Sequence, residues 1–124
     1  MFLIQDERGE KFGYYLNTQI NYEYAIDTMK KTDAKSFEFN LQSNGRLSGP
    51  MKFEIKNLKH GYGLKNKSHK ILIQIGNIQL HKENEKTTSK CYQIEDDFNY
   101  HGIQNALCGN ISFTPKRIIV FQME

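Results

Sequence analysis

Apolar residues recur at every second position through much of the chain, which is the side-chain period of a strand half-buried against a core. Residues 36–41 are the clearest case: Phe37, Phe39 and Leu41 alternate with Ser36, Glu38 and Asn40, so the apolar three share one face. Residues 2–4 and 12–15 read as a hairpin around the polar link Asp6-Glu7-Arg8-Gly9-Glu10. After the turn-rich run Ser43-Asn44-Gly45-Arg46-Leu47-Ser48-Gly49-Pro50, Met51, Phe53 and Ile55 alternate with Lys52, Glu54 and Lys56, whose charges face water. Residues 71–75 and 78–80 flank Gly76-Asn77, a pair suited to a tight turn between paired strands. Ile118-Ile119-Val120-Phe121 is continuously apolar and predicts a closing strand buried on both faces. Phe37, Phe39 and Leu41 are expected to meet Ile73, Ile75 and Val120 in one core.

Helical signal is sparse. Residues 22–31 place Tyr22, Ala25, Ile26 and Met29 near one face with lysines at the C-terminal end, which suits either a short helix or a loop. A second turn is expected around residues 102–107, stopped by Gly109 and over before Pro115. The polar stretch 81–90 lacks apolar anchors and reads as a mobile loop. Seven candidate strands therefore predict a mainly β fold, a two-layer antiparallel β-sandwich with one or two short helices, in a single domain spanning 1–124.

Composition narrows the class further. The 124 residues suffice for one core, and 38% hydrophobic with 25% charged residues is the balance of a soluble folded protein. No apolar run is long enough to span a membrane, and the start lacks the basic-then-apolar order of a secretory leader, so a cytoplasmic location is expected, with the nucleus as the alternative. Two cysteines, Cys91 and Cys108, are not a disulfide framework; in that compartment they are expected to be reduced, and the sequons at Asn66 and Asn110 to be chance matches. A net charge of +3 alone specifies no polyanionic partner.

Several segments, in order, resemble a known family. Gly9-Glu10-Lys11-Phe12-Gly13-Tyr14-Tyr15 and Ser36-Phe37-Glu38-Phe39-Asn40-Leu41 resemble the Gly-x-x-Phe-Gly-aromatic and Ser-Phe-x-Phe-x-Leu elements of TLDc domains, the domain of the oxidation-resistance protein family. Lys70 to Gly76 looks like the family's strand ending in glycine, and Ser89-Lys90-Cys91 like its Ser-x-Cys element. Asn105-Ala106-Leu107, Phe113 and Ile118-Ile119-Val120-Phe121 are similar to its closing Asn-x-x-Leu, Phe and Ile-x-Val-aromatic run. The chain departs from the pattern in lacking the segments that usually precede the Phe-Gly element, in having no tryptophan, and in placing Ile119 where a glutamate is common. The resemblance implies two stacked antiparallel sheets with few helices, roles in protection against oxidative damage and, in several members, binding to the vacuolar proton pump. It carries over no catalytic residue. The sheet edge left by the missing N-terminal part gives homodimerisation a physical reason.

Candidate chemistry is thin. Cys91, His101 and Cys108, with His81 nearby in sequence, have ligand types that suit zinc, but the spacing matches no known knuckle and there is no Cys-x-x-Cys pair, so no metal and no cofactor are expected. A thiol with His101 as base would need a proximity that the sequence does not establish, and redox sensing by Cys108 follows only from the family association. Glu95-Asp96-Asp97 lacks the spacing of a calcium loop and reads as a solvated acidic turn. Gly61-Tyr62-Gly63 is too isolated to read as a dinucleotide loop.

Three functional readings remain. The first is a non-enzymatic TLDc-like protein-interaction module, linked through the resemblance to the oxidative-stress response. It would contact an unidentified protein partner through the polar loop 83–90 and the aromatic turn 98–101, with Tyr100 and His101 as the contact residues. The second is a nucleic-acid-binding stress regulator using Lys52, Lys56, Lys59, Lys65, Lys67 and Lys70, interleaved with Phe53 and Tyr62. The bland alternative places those lysines on the water face and edges of strands, where they discourage aggregation. The third is a small immunity or inhibitor protein. None assigns a catalytic residue.

Overall fold

The computed structural model describes residues 1–20, 28–65, 69–82 and 88–122. The alternating pattern is realised as ten strands: β1 Phe2–Asp6, β2 Lys11–Tyr15, β3 Phe37–Gln42, β4 Met51–Glu54, β5 Tyr62–Leu64, β6 Ile71–Ile75, β7 Ile78–His81, β8 Ser89–Cys91, β9 Ser112–Phe113 and β10 Pro115–Val120. They form two five-stranded antiparallel sheets, sheet A in the order β10-β1-β2-β3-β4 and sheet B in the order β5-β6-β7-β8-β9. Every neighbour in sheet B is also a sequence neighbour, whereas sheet A brings the final strand beside the first. No helix occurs among the described residues. Residues 102–107 form turns with His101 and Asn105 at positive φ, and most of the 22–31 candidate lies outside the described residues.

The inner faces of the two sheets share one apolar cluster. Phe2, Ile4, Phe12, Tyr14 and Phe53 from sheet A pack with Ile73, Ile75, Ile78, Leu80, Cys91 and Phe113 from sheet B, and Phe98, Tyr100, Leu107 and Cys108 from the last loops fill one end. Phe12 meets Phe113 edge to face at a centroid distance of 5.0 Å, the orientation that ring quadrupoles favour. The Gly76-Asn77 turn joins β6 to β7 as expected, with Ile75 opposite Ile78 and Gly76 in the left-handed region at φ 55°. A Cβ on Gly76 would stand 2.6 Å from Tyr14 Cε2 and 2.8 Å from Phe98 Cζ, so position 76 requires glycine for space as well as for backbone angle.

Two expectations about faces are corrected. The alternation of β3 is present but inverted: Ser36, Glu38 and Asn40 point into the sandwich and are buried, while Phe37, Phe39 and Leu41 lie on the outer face of sheet A, Leu41 being 46% exposed. Phe39 is nevertheless buried, because it covers Gly13 of the neighbouring strand; a Cβ there would lie 2.9 Å from Phe39 Cζ. β10 is also not buried on both faces. It is an edge strand, with Ile118 41% and Val120 62% exposed, and so does not join Ile73 and Ile75 in the core.

Gly61-Tyr62-Gly63 has a structural role. The chain at residues 28–32 runs beside β5, where the Lys30 amide donates to the Tyr62 carbonyl at 2.7 Å and the Gly61 amide donates to the Lys30 carbonyl at 2.9 Å. Side chains at positions 61 and 63 would collide with this segment, a Cβ on Gly61 lying 2.6 Å from the Lys30 carbonyl oxygen.

Candidate functional site

Burying Glu38 and Asn40 obliges the fold to provide partners for them, because an unpaired polar group removed from water is costly. Glu38 reaches from β3 across the core to the β6–β7 turn, where its Oε2 accepts the Asn77 amide at 2.9 Å. Its Oε1 lies 2.5 Å from the Tyr100 hydroxyl. In the orientation its neighbours dictate, the Asn77 side-chain amide donates to Asp97 Oδ2 at 2.9 Å and accepts from Tyr100 at 2.8 Å. The Tyr100 hydroxyl thus stands between two acceptors with one proton. Both contacts are satisfied when Glu38 carries a proton of its own. Burial pushes the Glu38 carboxyl up to about 8, in line with that requirement. The spine extends to Asn57, which donates to Asp97 Oδ1 at 3.2 Å, and to His60, whose Nδ1 lies 3.3 Å from Asp97 Oδ2.

Tyr100 is therefore not a surface contact. It is 3% exposed and belongs to the inter-sheet spine, because its hydroxyl is the bridge between Glu38 and Asn77. Phe98 is buried as well; in this turn Asn99 and His101 face solvent, with His101 Nε2 at 3.1 Å from the Lys52 carbonyl. Asp97 is buried, which corrects the reading of residues 95–97 as a wholly solvated turn, although Glu95 and Asp96 are exposed. Of the proposed contact loop, residues 83–87 lie outside the described residues.

A second polar cluster ties the loop at 105–109 to sheet A. Arg46 donates from Nε to Glu10 Oε1 at 3.0 Å, from Nη1 to the Asn105 carbonyl at 3.0 Å and from Nη2 to the Ala106 carbonyl at 3.3 Å. Asn40 Nδ2 donates to the Leu107 carbonyl from below. This clamp sets Cys108 against Cys91, and both thiols are buried. Burial pushes the Cys91 thiol up, while the neighbouring Cys91 holds the Cys108 thiol below its ordinary value; the Cys108 Sγ itself donates to the Asn110 carbonyl at 3.1 Å. The sequence thus named the two cysteines but not their mutual contact, which joins residues from β8 and a turn. His101 is engaged elsewhere, and among the described residues no three His, Cys, Asp or Glu side chains converge as a metal site requires.

The lysines are distributed over both sheets. Lys52, on the outer face of β4, sits with Nζ 4.4 Å from the Phe37 ring centroid. Lys56 Nζ donates to the Glu95 carbonyl at 2.7 Å. Lys59 and Lys70 are exposed and Lys65 is half-buried, the last two flanking the β5–β6 connection of sheet B; Lys67 lies outside the described residues.

Two hollows open on the surface of sheet A. On the outer face of sheet A, a hollow of about 300 Å³ is bounded by Met1, Phe37, Phe39, Leu41, Pro50, Met51 and Lys52. A larger hollow of about 450 Å³ lies at the end of the same sheet between the β2 exit and residues 120–122, with Ile20 among its lining residues. The inverted facing of β3 creates the first hollow. Neither the family models, nor the curated proteins, nor the solved structures contain a match to this chain.

Proposed function

We propose that the chain acts without turnover, as a protein-binding β-sandwich that engages its partner through the outer face of β3 and β4. The observation that carries this reading is the apolar hollow there, floored by Phe39 and rimmed by exposed Leu41, with the Lys52 ammonium beside the Phe37 ring. Large apolar side chains in a concave, exposed setting with one flanking charge are the makings of a contact centre. The ligand this chemistry suits is a protein segment presenting an apolar side chain next to a carboxylate. Non-catalytic action is supported by the use of the ionisable groups: Glu38, Tyr100 and Asp97 are tied together inside the core through Asn77, and the two thiols are buried. Kinship with TLDc domains, and the oxidative-stress role it implies, rests on the sequence segments alone; two stacked antiparallel sheets agree with it.

The test is affinity capture from the source cell, followed by titration of the purified partner. Leu41→Glu combined with Lys52→Glu should weaken binding at least tenfold while leaving the circular dichroism and melting curve in place, since both positions face solvent. Undiminished binding by that variant would overturn the reading. So would micromolar, steeply salt-dependent binding to duplex DNA or RNA, or a substrate turned over by the wild-type chain and spared by Cys108→Ser.

A further inference from the structure

β10 is the longest strand on an outer edge of either sheet, and among the described residues no strand pairs with its outward side. Which of its backbone groups face outward follows from one pair. The Phe121 amide donates to the Met1 carbonyl at 2.8 Å, and the Met1 nitrogen donates to the Phe121 carbonyl at 2.7 Å, so the two residues exchange both bonds. Antiparallel ladders alternate such pairs. In the observed register Ile119 and Arg117 therefore turn their amides and carbonyls toward Leu3 and Gln5 of β1, and Ile118 and Val120 turn theirs away from the sheet. The side chains of both residues are exposed as well, Ile118 at 41% and Val120 at 62%.

The two halves of this edge differ. Pro115 has no amide proton and Lys116 and Arg117 add charge, the usual devices that repel a second strand. Ile118, Ile119, Val120 and Phe121 have no such protection. We infer that this open half pairs with β10 of a second copy of the chain, antiparallel about a two-fold axis at Ile119, joining two copies of sheet A edge to edge.

About that axis Ile118 faces the partner's Val120 and Val120 faces the partner's Ile118, and each pair exchanges both of its outward backbone bonds. Ile119 meets the partner's Ile119 on the opposite face. Arg117 falls opposite the partner's Phe121 and Lys116 opposite the partner's Gln122, so no like charges meet. An axis at Arg117 would oppose two guanidinium groups, and one at Lys116 two ammonium groups. The other edge of sheet A, β4, is shorter and exposes Lys52 and Glu54. A β10-to-β4 contact would propagate without closing, whereas β10 against β10 uses the open edge of both copies and stops. The inference is independent of the β3–β4 hollow.

Sedimentation equilibrium of the full chain across the micromolar range tests it, with an expected mass of twice the 14.5 kDa of one chain. Val120→Lys should sediment as a single chain with a native circular dichroism spectrum. A second test does not depend on that variant folding. Under mild oxidation Ile119→Cys should form a covalent dimer, because the axis brings the two residues together, and Arg117→Cys should not. A wild-type chain that remains monomeric, a Val120→Lys dimer of undiminished affinity, or cross-linking at Arg117→Cys instead of Ile119→Cys would overturn the inference.

Discussion

Glu38 is the residue whose chemistry departs furthest from its sequence context. In the strand pattern it reads as a water-facing glutamate, yet it is fully buried and holds the β6–β7 turn and Tyr100 against sheet A. Its titration has a definite sign. The native carboxyl keeps its proton up to about 8, whereas in the unfolded chain it ionises near its ordinary value of 4.5. The native state thus binds more protons between those limits, and stability falls as pH rises through them, by an amount on the order of a few kcal/mol. Below the window the contribution is complete; above it the loss is complete. Glu38→Gln keeps the shape and an uncharged amide, so urea unfolding from pH 5 to pH 9 should show a decline in the wild type that the variant lacks. A wild-type decline that persists unchanged in the variant would assign it to other groups.

At the scale of elements, periodicity located the strands but not always their facing. The β1–β2 hairpin, β3, β4 and the β6–β7 pair with its Gly76-Asn77 turn were legible because period two and turn residues are local properties. β5, β8 and β9, of two or three residues each, are too short to register a period. The facing of β3 was misread for a definite reason. Apolar alternation tells that two faces differ, and the choice of inner face depends on partners: here Asn77, Tyr100 and the Leu107 carbonyl, all distant in sequence, await Glu38 and Asn40. None of these contacts has a local signal, and the candidate site followed from the error, since the apolar face assigned to the core is the exposed one. Two substitutions one residue apart distinguish the facings. Asn40→Ala should cost about 2 kcal/mol through a buried carbonyl left short of a donor, and Leu41→Ser well under about 1 kcal/mol. Denaturant unfolding that ranked them the other way would restore the original facing.

At the scale of the whole molecule, the two sheets are joined by polar bridges as well as apolar packing. Arg46 holds three points at once: Glu10 on the β1–β2 side and the carbonyls of Asn105 and Ala106. Its planar fork suits this, and a lysine cannot reproduce it. Arg46→Ala leaves Glu10 buried without its cation and should cost roughly 2–4 kcal/mol, with Arg46→Lys recovering little of it. Amide exchange should locate the damage: protection should drop at Leu107 and Gly109 before it drops in β6 and β7. Uniform loss throughout the chain would show that the loop is not a separate unit.

The strand order of sheet A has a kinetic consequence. β1 is flanked by β2 from its own hairpin and by β10 from the far end of the sequence, the register running from Phe2 opposite Val120 to Gln5 opposite Arg117. Sheet B can assemble by closures between sequence neighbours, the longest running from Cys91 to Ser112, whereas sheet A needs one closure spanning nearly the whole described chain. That closure is entropically expensive, and it precedes the contacts that offset it. β1 therefore waits with one side unpaired until β10 has been made, and in refolding the completion of sheet A should lag behind that of sheet B.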